Sequence, residues 1–230
     1  MGVFLSNSVF FGVFLSLAGY GVGLFMKRKF KSALFNPLLI AIIIVMVVLK
    51  ITGIQYKDYN EGAKYISYLL TPATVCLSIP LYKQISILKK NFKAVAAGII
   101  SGVLSSVGSV LIMSVLFGLT HEQYVTLLPK SITTAIGMGV SEELGGIVTI
   151  TVAVIIVTGI IGNIIAELVC KLLHITEPVA VGIGIGSSAH AVGTARAFEI
   201  GETEGAMSSL SIAVSGLVTV IMASIFAGLY

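Results

Sequence analysis

One stretch near the C-terminal end restricts this chain more than any other: residues Val179–Gly205, VAVGIGIGSSAHAVGTARAFEIGETEG. It sets Gly182, Gly184, Gly186, Ser187, Ser188, His190, Thr194, Arg196 and Glu199 between long apolar runs. The chain around it is 57% hydrophobic and only 10% charged, with a mean hydropathy of +1.06. A soluble domain carries about 25% charged residues, so a polytopic membrane protein is the class that accommodates this composition. Inside a bilayer every backbone polar group needs an internal partner. Glycine-rich, non-helical backbone therefore survives only where it is buried in protein or lines a cavity. A charged side chain at the centre of a span costs about 2.5–3.5 kcal/mol on insertion scales, which marks His190 and Arg196 as functional candidates.

The stretch has a counterpart fifty-six positions earlier. Ser131–Gly145, SITTAIGMGVSEELG, aligns with Ser187–Gly201, SSAHAVGTARAFEIG. In this register Ala135 meets Ala191, Gly137 meets Gly193, Glu143 meets Glu199 and Gly145 meets Gly201, while Thr120 upstream meets Thr176. Three further places share a Ser/Thr-Gly pair at a spacing of fifty-seven: Ser101-Gly102, Thr158-Gly159 and Ser215-Gly216. Such pairs are common in membrane helices, but beside the motif repeat they argue an internal duplication of the kind used by secondary transporters.

In chain order, residues 8–25 read as a first span, and the segment before them lacks the basic region of a signal peptide. Met1-Gly2 with Ser6 fits a myristoylation pattern, which chance explains well enough. Phe35–Ile51 is a second span opened by Asn36-Pro37, a helix-start dipeptide. Residues 56–64 carry both signs of charge and read as an outside loop. Tyr65–Tyr82 is a third span broken by Pro72 and Pro80. Residues 94–117, 150–172 and 207–229 follow, the first with a stripe of Ala94, Gly98, Gly102 and Ser106 that lets another helix approach closely. Lys27, Arg28, Lys29 and Lys31 form one basic cluster, and Lys83, Lys89, Lys90 and Lys93 another; both read as cytoplasmic. Cys76 and Cys170 sit in apolar surroundings and read as buried thiols.

The expected fold is an all-α polytopic membrane protein with about six full spans and two glycine-rich re-entrant or broken-helix elements, in an inverted internal repeat. Its organisation is 1–92 for the N-terminal spans, 93–146 and 147–202 for the repeat units, and 203–230 for the final span. If both motif segments cross completely, the repeat is instead parallel with about eight crossings.

The chemistry lies in the two motifs. Gly182-Ile-Gly184-Ile-Gly186 lacks the spacing and βαβ context of a dinucleotide fingerprint. Its glycines would instead leave backbone N–H groups free at a helix start, where the dipole attracts an anion. Pro129, Ser131, Thr133 and Thr134 would do the same in the first copy, with Ser131 as N-cap. A small carboxylate bound there would meet Lys130, Ser131, Thr133, Thr134, Gly137 and Gly139 from one copy and Ser187, Ser188, His190, Gly193, Thr194 and Arg196 from the other. Arg196 suits a carboxylate because its planar fork binds bidentately; it serves equally as a brace paired with Glu199 or Glu143. Glu143, Glu199, Asn163 and Glu167 are coupling or gating candidates. Asn163, Glu167 and Lys171 share one helix face, either as a polar seam or as a Glu–Lys pair near the helix end. A serine hydrolase lacks its elbow here, and the lone Asp58 lies far from the motif. Three scattered histidines make no metal site. No enzyme activity, metal, cofactor or nucleic acid is expected.

The sequence resembles the LrgB/CidB family over nearly its whole length. The resemblance rests on Asn36-Pro37-Leu38, Pro80-Leu81-Tyr82, Pro129-Lys130-Ser131, Ser141–Gly146 and the run from Ser187 to Ser211. It implies an antiholin-like regulator of murein hydrolases and autolysis in a bacterial inner membrane. It also implies an LrgA/CidA-type membrane partner, in a homo- or hetero-oligomer. Related proteins are implicated in pyruvate uptake, and a plastid glycolate/glycerate translocator joins an LrgA-like half to an LrgB-like half. Pyruvate, lactate and glycolate are the solutes this resemblance implies.

Overall fold

A computed structural model describes residues 9–30, 35–76 and 78–230. The Met1-Gly2/Ser6 pattern, the segment before the first helix and Lys31 lie outside them. The described residues are helical, with no strand among them. They fall into two compact units that divide between residues 76 and 77.

The first unit holds α1 (Val9–Phe30), α2 (Pro37–Thr52), α3 (Tyr56–Ser67) and α4 (Leu70–Cys76). Asn36 caps α2, its side chain accepting from the N–H groups of Leu38 and Leu39 while Pro37 takes the first helical position. Gly53 ends α2 in the left-handed conformation that a helix C-terminus favours. Glycines on α1 set the packing: a Cβ on Gly23 would lie 2.6 Å from the Pro37 carbonyl oxygen, and one on Gly19 would lie 3.4 Å from Ala41. Ser16 and Tyr59 join α1 to α3 through hydroxyls 2.7 Å apart.

The expected loop at 56–64 is thus a helix. Gly62 is buried and Tyr59 half-buried against α1, while charged residues on the opposite side stay solvated, so amphipathicity rather than charge count decides the structure. The expected third span, 65–82, is not one helix either: α3 ends at Ser67, and a turn at 68–69 separates it from α4. Pro72 stands third in α4, where a missing N–H removes no intrahelical bond.

The second unit contains α5 (Ser78–Lys83), α6 (Ile85–Lys90), α7 (Phe92–Phe117), α8 (His121–Leu127), α9 (Thr134–Glu143), α10 (Val148–Leu172), α11 (Pro178–Ile200) and α12 (Glu202–Ala227). Buried Val95, Ile99, Val103, Val107 and Val110 recur at helical spacing down α7 and define its inward stripe. Gly118, at φ 60°, closes α7. A capping box follows, with Thr120 accepting from the Gln123 N–H and the Gln123 side chain accepting from that of Thr120. Tyr124, Val125, Leu128 and Ile132 fill a core with Val107, Val110, Val140 and Ala223.

Among the described residues, four helices are long and apolar enough to cross a membrane: residues Phe10–Phe30 of α1, and α7, α10 and α12. The chain is a multi-pass membrane protein. The expected second span is apolar but has only 16 residues, a length of about 24 Å against a hydrocarbon core of about 30 Å. Both repeated motifs are interrupted. The first breaks between α8 and α9 at residues 128–133. The second breaks inside α11 at His190, which has φ 41° and ψ −141°. The cysteines correct another expectation, since Cys76 is exposed and Cys170 only half-buried.

α11 and α12 form the most extensive helix pair, turning on the extended backbone of Gly201. A Cβ on Gly182 would lie 2.5 Å from the Glu204 carbonyl oxygen, and one on Gly186 would lie 2.8 Å from the Ser208 Cα, so both glycines allow backbone-to-backbone approach. The three repeated Ser/Thr-Gly pairs lie on α7, α10 and α12. Each glycine receives a side chain from an interrupted segment: Ser187 at Gly102, His190 at Gly159 and Ile136 at Gly216.

Candidate functional site

A groove of about 810 Å³ opens in the second unit between α7 and α10, floored by the first half of α11. Ser101, Ser105 and Ser109 recur every four residues along α7, and Ser106 lies one turn before Ser109. Thr158 and a row of aliphatic residues come from α10, and Gly184, Ser187 and Ser188 from α11. No atom would lie within 4 Å of a Cβ on Gly184, so bare backbone faces the opening there. Lys130 and Ser131 enter from the break between α8 and α9.

The break itself aims Lys130. Pro129 cannot continue the α8 hydrogen-bond ladder. Leu128 and Ile132 on either side are anchored in the apolar core, and the polar residues between them turn to the groove. The Lys130 ammonium donates to the hydroxyls of Ser106 and Ser131, each 3.3 Å away, and those hydroxyls are 2.9 Å apart. Among the described residues no carboxylate lies within ion-pair distance of Lys130. A half-buried ammonium without a counter-ion, lined by hydroxyls, attracts a small anion.

A second polar knot holds the break in place. Thr151 Oγ1 on α10 lies 2.8 Å from the Thr126 carbonyl oxygen and 2.7 Å from the Ser141 hydroxyl, and all three residues are buried. The Ile147 N–H donates to Thr126 Oγ1 at 2.8 Å. α8, α9 and α10 are thereby tied at one point.

Of the expected binding residues, Lys130, Ser131, Ser187 and Ser188 line the groove and the others do not. Ser131 is not an N-cap: α9 begins after Thr133, and the Ser131 hydroxyl turns to Ser106 instead. Thr134 opens α9, Gly137 is buried against Pro129 and Ile155, and Gly139 is exposed in open space. Gly182, Gly184 and Gly186 are not a helix start, because α11 begins at Pro178 and Gly182 is already its fifth residue. Their N–H groups therefore bond within the helix. The α-helical backbone around them provides close packing, not free donors.

His190 is a structural breaker here rather than a groove residue. It is buried, and its Nε2–H donates to the Ile155 carbonyl at 2.8 Å; a carbonyl only accepts, so the ring nitrogen carries the proton. The missing side chain of Gly159 makes the seat for its ring. Thr194 donates to the His190 carbonyl or to Ser208, 3.0 and 2.6 Å away. Gly193 is buried against Ile185.

Arg196 is occupied. Its guanidinium pairs with Glu167 of α10 and, at 2.7 Å, with Glu199 one turn on. Lys171 joins Glu167 at 2.8 Å. Asn163 donates to the Val192 carbonyl at 2.7 Å. These contacts fasten the second half of α11 to α10, away from the groove. Glu143, the repeat counterpart of Glu199, is exposed at the end of α9.

Ser101, Ser105, Ser106, Ser109 and Thr158 were not among the expected site residues. Serines at 101, 105 and 109 share a face that spacing alone reveals, but beside the glycines they read as a small-residue packing stripe.

The fold defines a polytopic helical membrane protein, with a groove in its second unit that the Lys130 ammonium enters. Comparison with known proteins gives the family. Residues 16–229 match the LrgB-like family model, and the chain belongs to that family. It is 38% identical over 220 residues to the antiholin-like protein LrgB of Bacillus subtilis, with 95% of each chain covered. It is 37% identical over 218 residues to the proteins of the same name from Bacillus mycoides and Bacillus cereus, covering 94% of this chain and 95% of each relative. No solved structure matches it.

Proposed function

We propose that this chain is the transport subunit of a bacterial inner-membrane carrier for small monocarboxylates of the pyruvate, lactate and glycolate class. It works with a small LrgA/CidA-type membrane partner. The carboxylate flux it governs links it to control of murein hydrolases and autolysis, in keeping with the antiholin-like name of its relatives. In this reading α2 and residues 65–82 supply two further crossings, giving six, and the interrupted motifs are discontinuous elements of an inverted repeat.

One observation carries the proposal: Lys130 enters a groove lined by hydroxyls with no carboxylate of the described chain beside it. An unpaired cation at membrane depth costs about 2.5–3.5 kcal/mol, and a hydrogen bond to a charged group returns about 1.5–3 kcal/mol. A carboxylate solute completes the balance. Arg196, held by Glu167 and Glu199, is a brace; Asn163 and Glu167 join it in fixing the half-helix beyond His190.

The relatives' name favours a second reading, a membrane protein that modulates lysis without carrying a solute. Proteoliposomes holding the full chain, with and without the small partner, separate the two. Saturable uptake of labelled pyruvate, lactate or glycolate is expected, with Lys130→Met lowering it by about tenfold or more and Lys130→Arg retaining more of it. Uptake no greater than in empty vesicles, or unchanged in Lys130→Met, would overturn the carrier reading.

A further inference from the structure

The groove hydroxyls are not equivalent. Ser101, Ser109, Ser187 and Ser188 each donate to a backbone carbonyl one turn back, at 2.9, 2.7, 2.7 and 2.6 Å. Their protons are committed to their own helices. Ser106 and Ser131 differ: they face each other at 2.9 Å across the α7 wall and the break, and both accept from Lys130.

Counting donors shows what this trio offers a ligand. The ammonium has three N–H donors, and two are directed at the serines, leaving one. Each serine hydroxyl has one proton and two lone pairs. One of the two donates to the other. The accepting hydroxyl then has both lone pairs filled, by its neighbour and by Lys130, and keeps its own O–H free. The donating hydroxyl keeps one lone pair free. The trio therefore presents an N–H, an O–H and a lone pair within a few ångströms of one another.

We propose that the Ser106–Ser131 pair is the selectivity element of this site and reads the oxygen on the carbon next to the carboxylate. This rests on the carrier reading above. The remaining N–H takes a carboxylate oxygen. The free O–H donates to a 2-oxo group, and a 2-hydroxy group can in addition donate to the free lone pair. Acetate or propionate fills the carboxylate position but leaves the free O–H of the pair without an acceptor, with Ser131 buried and Ser106 half-buried. A site built on paired polar groups rejects the analogue that lacks the partner, because those groups have lost water and gained nothing. Ser106 and Ser131 come from different elements, so the pair also requires the α8–α9 break to be docked against α7.

Equilibrium binding of labelled pyruvate to the purified full chain, displaced by unlabelled glycolate, lactate, acetate and propionate, tests this without requiring transport. Wild type should prefer pyruvate over acetate by about tenfold or more. Ser106→Ala and Ser131→Ala should each weaken pyruvate by about tenfold while changing acetate by about twofold or less. Ser106→Thr, which keeps the hydroxyl, should retain most of the preference. Lys130→Met should weaken all the acids alike. If both alanine variants keep the wild-type ratio while Lys130→Met still loses binding, the selectivity assignment is wrong and the carrier reading stands. If wild type binds none of the acids, both fall.

Discussion

Adding one methyl group at Gly159 should unseat His190 and loosen the break in α11. An ideal Cβ there would lie 2.5 Å from His190 Cε1, 2.7 Å from Nε2 and 3.0 Å from Val192 Cβ. Ordinary contact begins at 3.4 Å, so the ring must retreat by about 0.9 Å, and overfilling a packed site of this kind costs about 1–3 kcal/mol. The His190–Ile155 hydrogen bond is 2.8 Å long, and the same retreat stretches it to about 3.7 Å, beyond hydrogen-bonding range. An N–H left buried without an acceptor costs about 1–3 kcal/mol more. Alanine's better helix propensity returns about 1 kcal/mol. The net loss is about 3 kcal/mol, a fall of about 6–12 °C in thermal midpoint for a chain of this size. The assay is thermal unfolding of the detergent-solubilised chain, followed by far-ultraviolet circular dichroism. Gly184→Ala is the control, because nothing lies within 4 Å of its new Cβ and the same methyl should be neutral there. A Gly159→Ala midpoint equal to that of Gly184→Ala would refute the packing argument.

Two further expectations rest on separate contacts. Thr151→Val keeps the volume but removes the hydroxyl that sits between Thr126 and Ser141; a loss of about 1–3 kcal/mol should lower the midpoint by several degrees, and an unchanged midpoint would mean the buried knot contributes little. Arg196→Lys and Glu167→Gln should each lower the midpoint by about 2–4 °C, since a lysine point charge cannot fork between Glu167 and Glu199 and a neutral amide at 167 no longer forms the ion pair. Pyruvate affinity should stay within about twofold of wild type in both; a large loss of affinity at an unchanged midpoint would return Arg196 to the substrate.

Much of this architecture is determined by residue order alone. The apolar runs of α7, α10 and α12 require a bilayer, because helices this long and this apolar have no polar face to turn to water. Asn36-Pro37 starts α2, and Pro129 forbids a continuous helix through the first motif, since both act through their immediate neighbours. The close approach expected at Gly98 and Gly102 is likewise local: a helix face without side chains admits a neighbour, here Ile183 and Ser187 of α11. What spacing does not reveal is partnership between distant residues. Arg196 and Lys130 look alike as intramembrane cations, yet Arg196 meets Glu167 twenty-nine positions away while the Lys130 ammonium, among the described residues, meets hydroxyls. Ser106 and Ser131 become a pair only when the α8–α9 break docks on α7. Which cation remains available to an anion is a property of packing, because a charge is neutralised by whatever the fold brings within a few ångströms, and the one-dimensional order of the chain does not contain that distance.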